Sequence, residues 1–331
     1  MPTLPATDHG YAAVTVSRGG RSSGRSAVRA WLPYAELIER LPRGVMADVY
    51  DGAKPPPESQ AEVEFFVLPY TFDRAPLNLI ATMPRLAVVQ TLTAGYEHIL
   101  PFLPAGVRLC RAGGVHDAST AELAVALILA ALRGIPDFVR AQDRASWQHE
   151  RYDALADKTV LIVGYGGIGV AVERRLAGFE CEIRPVARSE RAGVAALSAL
   201  PALLPDADVV VLAVPLTEQT RGLVDRDFLA LLPDGALVVN VSRGPIVQTD
   251  ALLAELRSGR LRAALDVMEG EPLPPEHPLW SAPGVLLTPH VGGNSTAFLP
   301  RAQRLIIAQL ERYVAGEPLW YEVTPPATPD R

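Results

Sequence analysis

Apolar and polar positions divide this chain into short runs of two kinds. Over the first hundred or so residues, extended and helical stretches alternate: Tyr11–Val16 extended, Trp31–Leu41 helical, Val63–Leu68 extended, Leu77–Ala81 a short helix, Leu86–Leu92 extended. Arg18–Ser26 is rich in glycine, serine and arginine and reads as a mobile loop. Gly52–Glu58 carries three consecutive prolines, which no helix or strand interior accepts. Thr120–Arg133 is built almost entirely from Ala, Leu, Ile and Val, so its helix belongs between layers or in a subunit interface. The stretch Asp137–Asp157 is more polar. Apolar strand runs then recur at Thr159–Val163, Glu182–Val186, Asp208–Val214, Leu237–Val241, Ala263–Leu265 and Val285–Leu287, with a helix at Ile168–Leu176 after the first. Leu299–Val314 reads as a closing amphipathic helix and Thr324–Arg331 as a frayed tail. Strands alternating with helices predict parallel βα units, and this series predicts a doubly wound α/β sheet.

A length of 331 residues suits two domains of about 100–200 residues each. With 49% hydrophobic and 21% charged residues, the composition is that of a folded globular chain. A net charge of −6 gives no global attraction to nucleic acid or to an anionic membrane. Of the 31 basic residues only Lys54 and Lys158 are lysines. Lysine-nucleophile chemistry therefore has few candidates, and arginine is the available grip for carboxylate or phosphate. Cys110 and Cys181 form neither a disulfide framework nor a metal pattern, and Cys181 in the strand-like Glu180–Ile183 reads as a small buried residue. Met1–Gly10 lacks a basic segment leading into an apolar one, and the longest apolar run, Leu123–Leu132, is half of what a bilayer needs. The expectation is a cytoplasmic protein without membrane or nucleic-acid partners.

Gly164-Tyr-Gly-Gly-Ile-Gly169 fits GxGxxG between the strand Val160–Val163 and a helix, the context that gives the pattern meaning. Gly164 permits the tight turn, Gly166 lets the backbone approach a pyrophosphate, and Gly169 lets helix pack on strand; Gly167 and Ile168 complete the loop. The helix N-terminus offers unpaired N–H groups to phosphate. The acid usually found about 20 residues further on is replaced by Arg188-Ser189-Glu190-Arg191. Arg188, Ser189 and Arg191 suit a ribose 2′-phosphate, which favours NADP. In the alternative Arg188 stacks on adenine, Glu190 replaces the acid, and NAD is used.

All strands of a parallel sheet end on one edge, where ligands bind. Leu237–Val241 runs into Arg243, Ala263–Leu265 into Asp266, and Val285–Pro289 into His290, which precedes Gly292 and Gly293. An arginine, an aspartate and a histidine thus reach the same edge as the glycine loop.

These segments resemble the D-isomer-specific 2-hydroxyacid dehydrogenases. The matching motifs are Thr93–Ile99, Gly164–Gly169, Pro215–Thr220, Asn240–Val247, Ala264–Pro272 and Thr288–Gly293. The resemblance spans roughly residues 60–315. It implies two doubly wound domains, Rossmann-like and flavodoxin-like. A dinucleotide-binding domain at 113–294 would be inserted into a discontinuous substrate domain at 1–112 and 295–331, with a homodimer formed through the coenzyme domain. It further implies Arg243, Glu271 and His290 as catalytic residues and Leu92, Thr93, Ala94, Gly95 and Tyr96 as the substrate loop. Pro215, Thr220, Val241, Asp266 and Gly292 become cofactor contacts, with Asp266 on the nicotinamide carboxamide and Thr120 a further contact to phosphate or ribose. The implied activity is reduction of a small 2-oxo acid, of the glyoxylate or hydroxypyruvate type, to the D-2-hydroxy acid. The hydride comes from nicotinamide C4 and the proton from His290. Leu68–Phe72 and Leu92 are expected to shape the substrate pocket. A dinucleotide-sensing, corepressor-like protein is the alternative. His98 and His277 are expected to have no chemical task, and Trp147 and Trp280 to serve packing or dimer contacts.

Overall fold

A computed structural model describes residues 27–71 and 73–323. The expected elements at Tyr11–Val16, Arg18–Ser26 and Thr324–Arg331, and the pocket candidate Phe72, lie outside the described residues.

Among the described residues thirteen strands form two sheets. The first contains β1 (Val28–Leu32), β2 (Val45–Val49), β3 (Phe65–Val67), β4 (Val88–Gln90) and β5 (Arg108–Cys110), in the parallel order β2-β1-β3-β4-β5. This is the flavodoxin-like order. The last strand, β13 (Glu322–Val323), returns to pair antiparallel with β5. The helix α8 (Phe298–Ala315) buries Ala302, Leu305, Ile306 and Leu310 against one face. On the other face, α1 (Ala75–Ile80) packs Leu77 and Ile80 with Trp31, Tyr50 and Phe66.

The helix expected over Trp31–Leu41 is corrected here. Trp31 and Leu32 end a central strand, and only Ala35–Arg40 forms a helical turn, of the 3-10 kind. Leu32 precedes Pro33, whose ring disfavours helical backbone in the residue before it. Trp31 is fully buried, and its indole N–H donates to Ser59 Oγ at 2.9 Å.

From β5 the chain crosses over through α2 (Asp117–Leu132) and α3 (Ile135–Asp143). The latter is a helix where only a polar stretch was expected; Gly134, left-handed at φ +63°, and Pro136 in the first turn start it. The second sheet has β6 (Thr159–Val163), β7 (Glu182–Ala187), β8 (Ala195–Ala196), β9 (Val209–Leu212), β10 (Leu237–Asn240), β11 (Arg262–Leu265) and β12 (Val285–Leu287). Its order is β12-β11-β10-β9-β6-β7-β8, all parallel, so the winding reverses between β6 and β9. Alternate residues face opposite layers, as strand geometry requires. Val160 and Ile162 meet α2 and α4 (Gly167–Leu176). Leu161 and Val163 meet α5 (Leu200–Leu203), α6 (Arg226–Ala230) and α7 (Thr249–Ser258).

Both cysteines are free. Cys181 is half-buried and lies before β7 rather than within it, a correction to its expected burial in a strand. Among the described residues no single helix is long and apolar enough to cross a membrane, and no cluster of His, Cys, Asp or Glu is placed to hold a metal ion.

Candidate active site

The carboxyl ends of β6 and β9, where the winding reverses, carry the glycine loop and the Pro215–Thr220 loop. Gly164 has φ +107°, and a Cβ on it would lie 2.4 Å from the Ala213 carbonyl carbon, so only glycine fits between the two loops. A Cβ on Gly169 would sit 2.1 Å from the Gly164 carbonyl oxygen, the close helix-to-strand approach expected of the motif. Around Gly166 a Cβ would meet nothing within 4 Å, which leaves an open backbone cradle at the start of the ten-residue α4. These features fit a dinucleotide pyrophosphate on Gly166–Gly169, with Ile168 half-buried behind it. One negative group is close by: a Cβ on Gly167 would lie 2.1 Å from Asp117 Oδ2. Burial raises the Asp117 carboxyl above its usual range, against the opposing charge of Arg111.

Arg188 and Ser189 are exposed beyond β7. Arg191 is held against the glycine loop, donating to the Tyr165 carbonyl at 2.8 Å with its guanidinium 5.5 Å from the Tyr165 ring centre. The Tyr165 hydroxyl donates to Glu173; burial first, then this bond, pushes the phenol up to about 12. Thr220 is buried, and its hydroxyl donates to the Pro215 carbonyl at 2.6 Å while accepting from Thr217 N–H at 2.8 Å. It therefore shapes its own loop, whereas Pro215 is exposed on that loop.

Three further strand ends supply the polar groups. After β10, Asn240 Oδ1 accepts from the backbone N–H and hydroxyl of Ser242, and its Nδ2 donates to the Arg243 carbonyl. This fixes the turn that presents Arg243; Val241 is buried beneath it. After β11, Asp266 is buried and accepts from the Thr288 hydroxyl (2.6 Å), Val291 N–H (2.9 Å) and Gly292 N–H (2.8 Å). The Asp266 carbonyl accepts His290 N–H at 2.8 Å. Asp266 thereby holds the loop that carries His290, whose backbone takes the uncommon φ of +54°. A methyl group on Gly292 would contact both Asp266 and Thr120, so these three residues border one corner of the site.

His290 Nδ1 lies 2.6 Å from Glu271 Oε2, and Glu271 Oε1 accepts Met268 N–H at 2.8 Å. Burial raises the Glu271 carboxyl. The His290 hydrogen bond, the Met268 N–H and the charges of His290 and Arg243 outweigh it, so the net shift is downward. An ionised Glu271 can only accept, so Nδ1–H donates to it and Nε2 is left available for chemistry. The turn of Glu271 and that of Arg243 pack through Gly244, where a Cβ would lie 2.0 Å from the Met268 carbonyl oxygen.

The first sheet contributes the loop after β4. The Thr91 hydroxyl donates to Thr93 Oγ1 at 2.7 Å, because the Thr93 hydroxyl is itself donating to the Gly95 carbonyl at 2.6 Å. A Cβ on Gly95 would lie 1.7 Å from Arg243 Nη2, so the guanidinium crosses directly over this loop. Thr93, Ala94 and Tyr96 are half-buried around it. Leu92 differs from expectation: its side chain is 1% exposed in the core of the first sheet and cannot line a pocket. Leu68 is likewise core, whereas Tyr70 is partly exposed beside Gly293.

One residue that the sequence places near the cleft without a role stands out. His116 is buried just before α2, with Nε2 2.7 Å from the Leu92 carbonyl oxygen and its ring stacked on Phe298 and Tyr70. In sequence His116 stands close to the expected cleft, but nothing around it assigns a task. Of the other residues weighed, His98 is exposed, His277 Nδ1 accepts Leu279 N–H, and Trp147 and Trp280 are exposed.

Known proteins agree with this geometry. Residues 125–292 match the family model described as D-isomer specific 2-hydroxyacid dehydrogenase, NAD binding domain. A glyoxylate/hydroxypyruvate reductase of Arabidopsis thaliana is 33% identical over 253 residues, 74% of this chain and 80% of the relative. The glyoxylate reductase/hydroxypyruvate reductase of Homo sapiens is 32% identical over 73% of this chain and 78% of its own length. A D-isomer specific 2-hydroxyacid dehydrogenase of Xanthobacter autotrophicus Py2, solved with NADPH and MES, superimposes with a TM-score of 0.77. It is 31% identical over 91% of this chain and 99% of that one. With its glycine loop on β6, a family model matching residues 125–292 and relatives above 30% identity over more than two thirds of its length, the chain belongs to the D-isomer-specific 2-hydroxyacid dehydrogenases, oxidoreductases that use a nicotinamide dinucleotide.

Proposed function

We propose that the chain reduces a small 2-oxo acid of the glyoxylate or hydroxypyruvate type to the D-2-hydroxy acid, and that it prefers NADP over NAD. The observation that carries this reading is the meeting of the His290–Glu271 pair with the guanidinium of Arg243 lying across Gly95. Together these provide a proton source and a carboxylate grip within one cleft.

When bound, the reduced nicotinamide supplies the hydride that adds to the substrate carbonyl carbon. Gly164, Gly166, Gly167, Ile168 and Gly169 would hold its pyrophosphate, and Gly292 and Asp266 its carboxamide end. The residues of the chain do the rest. Arg243 and the backbone N–H groups of Thr93–Tyr96 hold the substrate carboxylate and orient its carbonyl. His290 Nε2 gives its proton to the carbonyl oxygen as negative charge develops there. Glu271 keeps the imidazole in the orientation and protonation state that allow this.

The NADP preference rests on the exposed Arg188 and Ser189 and on Arg191, which is anchored beside the glycine loop. It is in keeping with the NADPH-dependent glyoxylate/hydroxypyruvate reductase of Sinorhizobium meliloti, solved with NADP and malonate, which is 26% identical with a TM-score of 0.73. A homodimer through the coenzyme domain accords with exposed Ile135, Val139 and Trp147 near the start of that domain. A dimer mass in light scattering of the purified chain is the expected result.

The functional reading is tested by following NADPH and NADH oxidation with glyoxylate, hydroxypyruvate, pyruvate and bulkier 2-oxo acids. Turnover of the small acids with NADPH supports it. No oxidation with any acid, despite tight NADPH binding, would point to a dinucleotide sensor instead.

A further inference from the structure

His116 lies where both chain crossings between the two sheets pass. It closes the first crossing, one residue before α2, and stacks on Phe298, the first residue of α8 on the second crossing, with ring centres 5.2 Å apart and planes 13° from parallel. Tyr70, beyond β3, completes a three-ring cluster, 5.7 Å from His116 and 4.5 Å from Phe298. The ring edges are chemically distinct. Nε2 faces the Leu92 carbonyl at 2.7 Å, and a carbonyl can only accept, so Nε2 carries the proton. Nδ1 is buried with no hydrogen-bond partner and abuts Gly293, where a Cβ would lie 2.6 Å from it.

These two contacts belong to different loops. Leu92 opens the substrate-gripping loop of the first sheet. Gly293 ends the loop of the second sheet that carries His290, and its neighbour Gly292 is bonded to Asp266. We infer that His116 is a positioning residue: its Nε2–H bond to the Leu92 carbonyl, with its ring wedged against Gly293, sets the register between the carboxylate grip and the proton donor. This rests on the functional reading above. The mechanism requires substrate carboxylate and carbonyl oxygen to meet Arg243 and His290 at once, and a displacement of about 1 Å can cost two orders of magnitude in rate.

A neutral ring suits this task. Nδ1 makes no hydrogen bond, and a second proton there would be buried with only the Gly293 backbone beside it. Burial pushes the His116 pKa down and Arg243 adds to that, while the Leu92 and Gly293 backbone and Asp117 oppose; the net direction is downward.

Two variants and one spectroscopic measurement test the inference. His116→Phe keeps the stack and loses the donor, whereas His116→Gln keeps an N–H donor. With glyoxylate and NADPH, His116→Phe is expected to raise KM about five- to tenfold, as loss of one buried hydrogen bond would. NADPH Kd should stay within about twofold, and His116→Gln should recover most of the KM. A merely structural role would lower the active fraction and Tm but leave KM unchanged. Wild-type KM in His116→Phe, or equal KM increases in both variants, would overturn the inference. Should the phenylalanine variant not fold, imidazole 15N shifts of the wild-type protein decide. A neutral Nε2–H tautomer from pH 6 to 8 that persists with oxamate bound is expected, and an Nδ1–H tautomer overturns it. Wild-type protein inactive on every 2-oxo acid would instead remove the functional reading, while the tautomer would still report on the bond.

Discussion

Glu271→Gln separates the role of charge at the His290 pair from the role of shape. Glutamine can still accept Met268 N–H through its amide oxygen, as Glu271 Oε1 does at 2.8 Å. Its amide NH2 then faces Nδ1, which must become an acceptor, and the negative charge that favours a protonated ring is gone. A hydrogen bond between charged partners contributes about 1.5–3 kcal/mol and a neutral one about 1 kcal/mol. The side chains of His290 and Glu271 are 39% and 29% exposed, so solvent screening places the difference near the lower end. The lower end is about 0.5 kcal/mol, and with about 1.4 kcal/mol per factor of ten in rate this corresponds to a loss of about two- to threefold. Glu271→Gln should therefore lower kcat/KM for glyoxylate about two- to threefold, with NADPH Kd unchanged. The assay is NADPH oxidation with saturating cofactor at about pH 7. Wild-type kcat/KM in the variant would refute the electrostatic role and leave Glu271 as a spacer. For stability, the lowered carboxyl of folded Glu271 contributes above the unfolded carboxylate range, and that contribution is lost as pH falls through its folded value.

Other consequences follow from the same geometry. Gly95→Ala places a methyl carbon on the Arg243 guanidinium, 1.7 Å from Nη2, so steady-state kinetics should show kcat/KM for glyoxylate down by about 10- to 100-fold. NADPH affinity, read by fluorescence titration, should be unchanged. Arg188→Ala should weaken NADPH by about 10- to 100-fold, the worth of a charge-assisted phosphate contact, and NADH by less than about twofold. Equal losses for the two cofactors would remove the 2′-phosphate assignment.

The second sheet was legible because its central strands β6, β9, β10 and β11 are buried on both faces and read as continuous apolar runs, and because its ligand loops begin where those runs stop. Gly164–Gly169, Arg243, Asp266 and His290 could all be placed on one edge for that reason. The first sheet was harder. Trp31 belongs to a strand of five residues, and the spacing of its apolar neighbours imitates a helix unless Pro33 is given weight. β2 is an edge strand of mixed burial and β5 has three residues, too short for any period to register; β8, at the edge of the second sheet, has only two. Leu92 shows a limit of another kind. Its motif position pointed to the pocket, yet a loop motif does not say whether a residue offers its side chain or its carbonyl. The role of Thr220 within its own loop and the contact of His116 with two loops depend on side-chain direction, which only the folded chain fixes.

The central claim is that His290 delivers the proton in a reduction organised by Arg243 and Glu271. The most direct measurement is single-turnover oxidation of bound NADPH by glyoxylate in wild-type protein and in His290→Ala. Loss of a positioned general acid should slow this step by about 10²- to 10⁴-fold while NADPH Kd stays within about twofold. Turnover by His290→Ala at the wild-type rate would contradict the assignment.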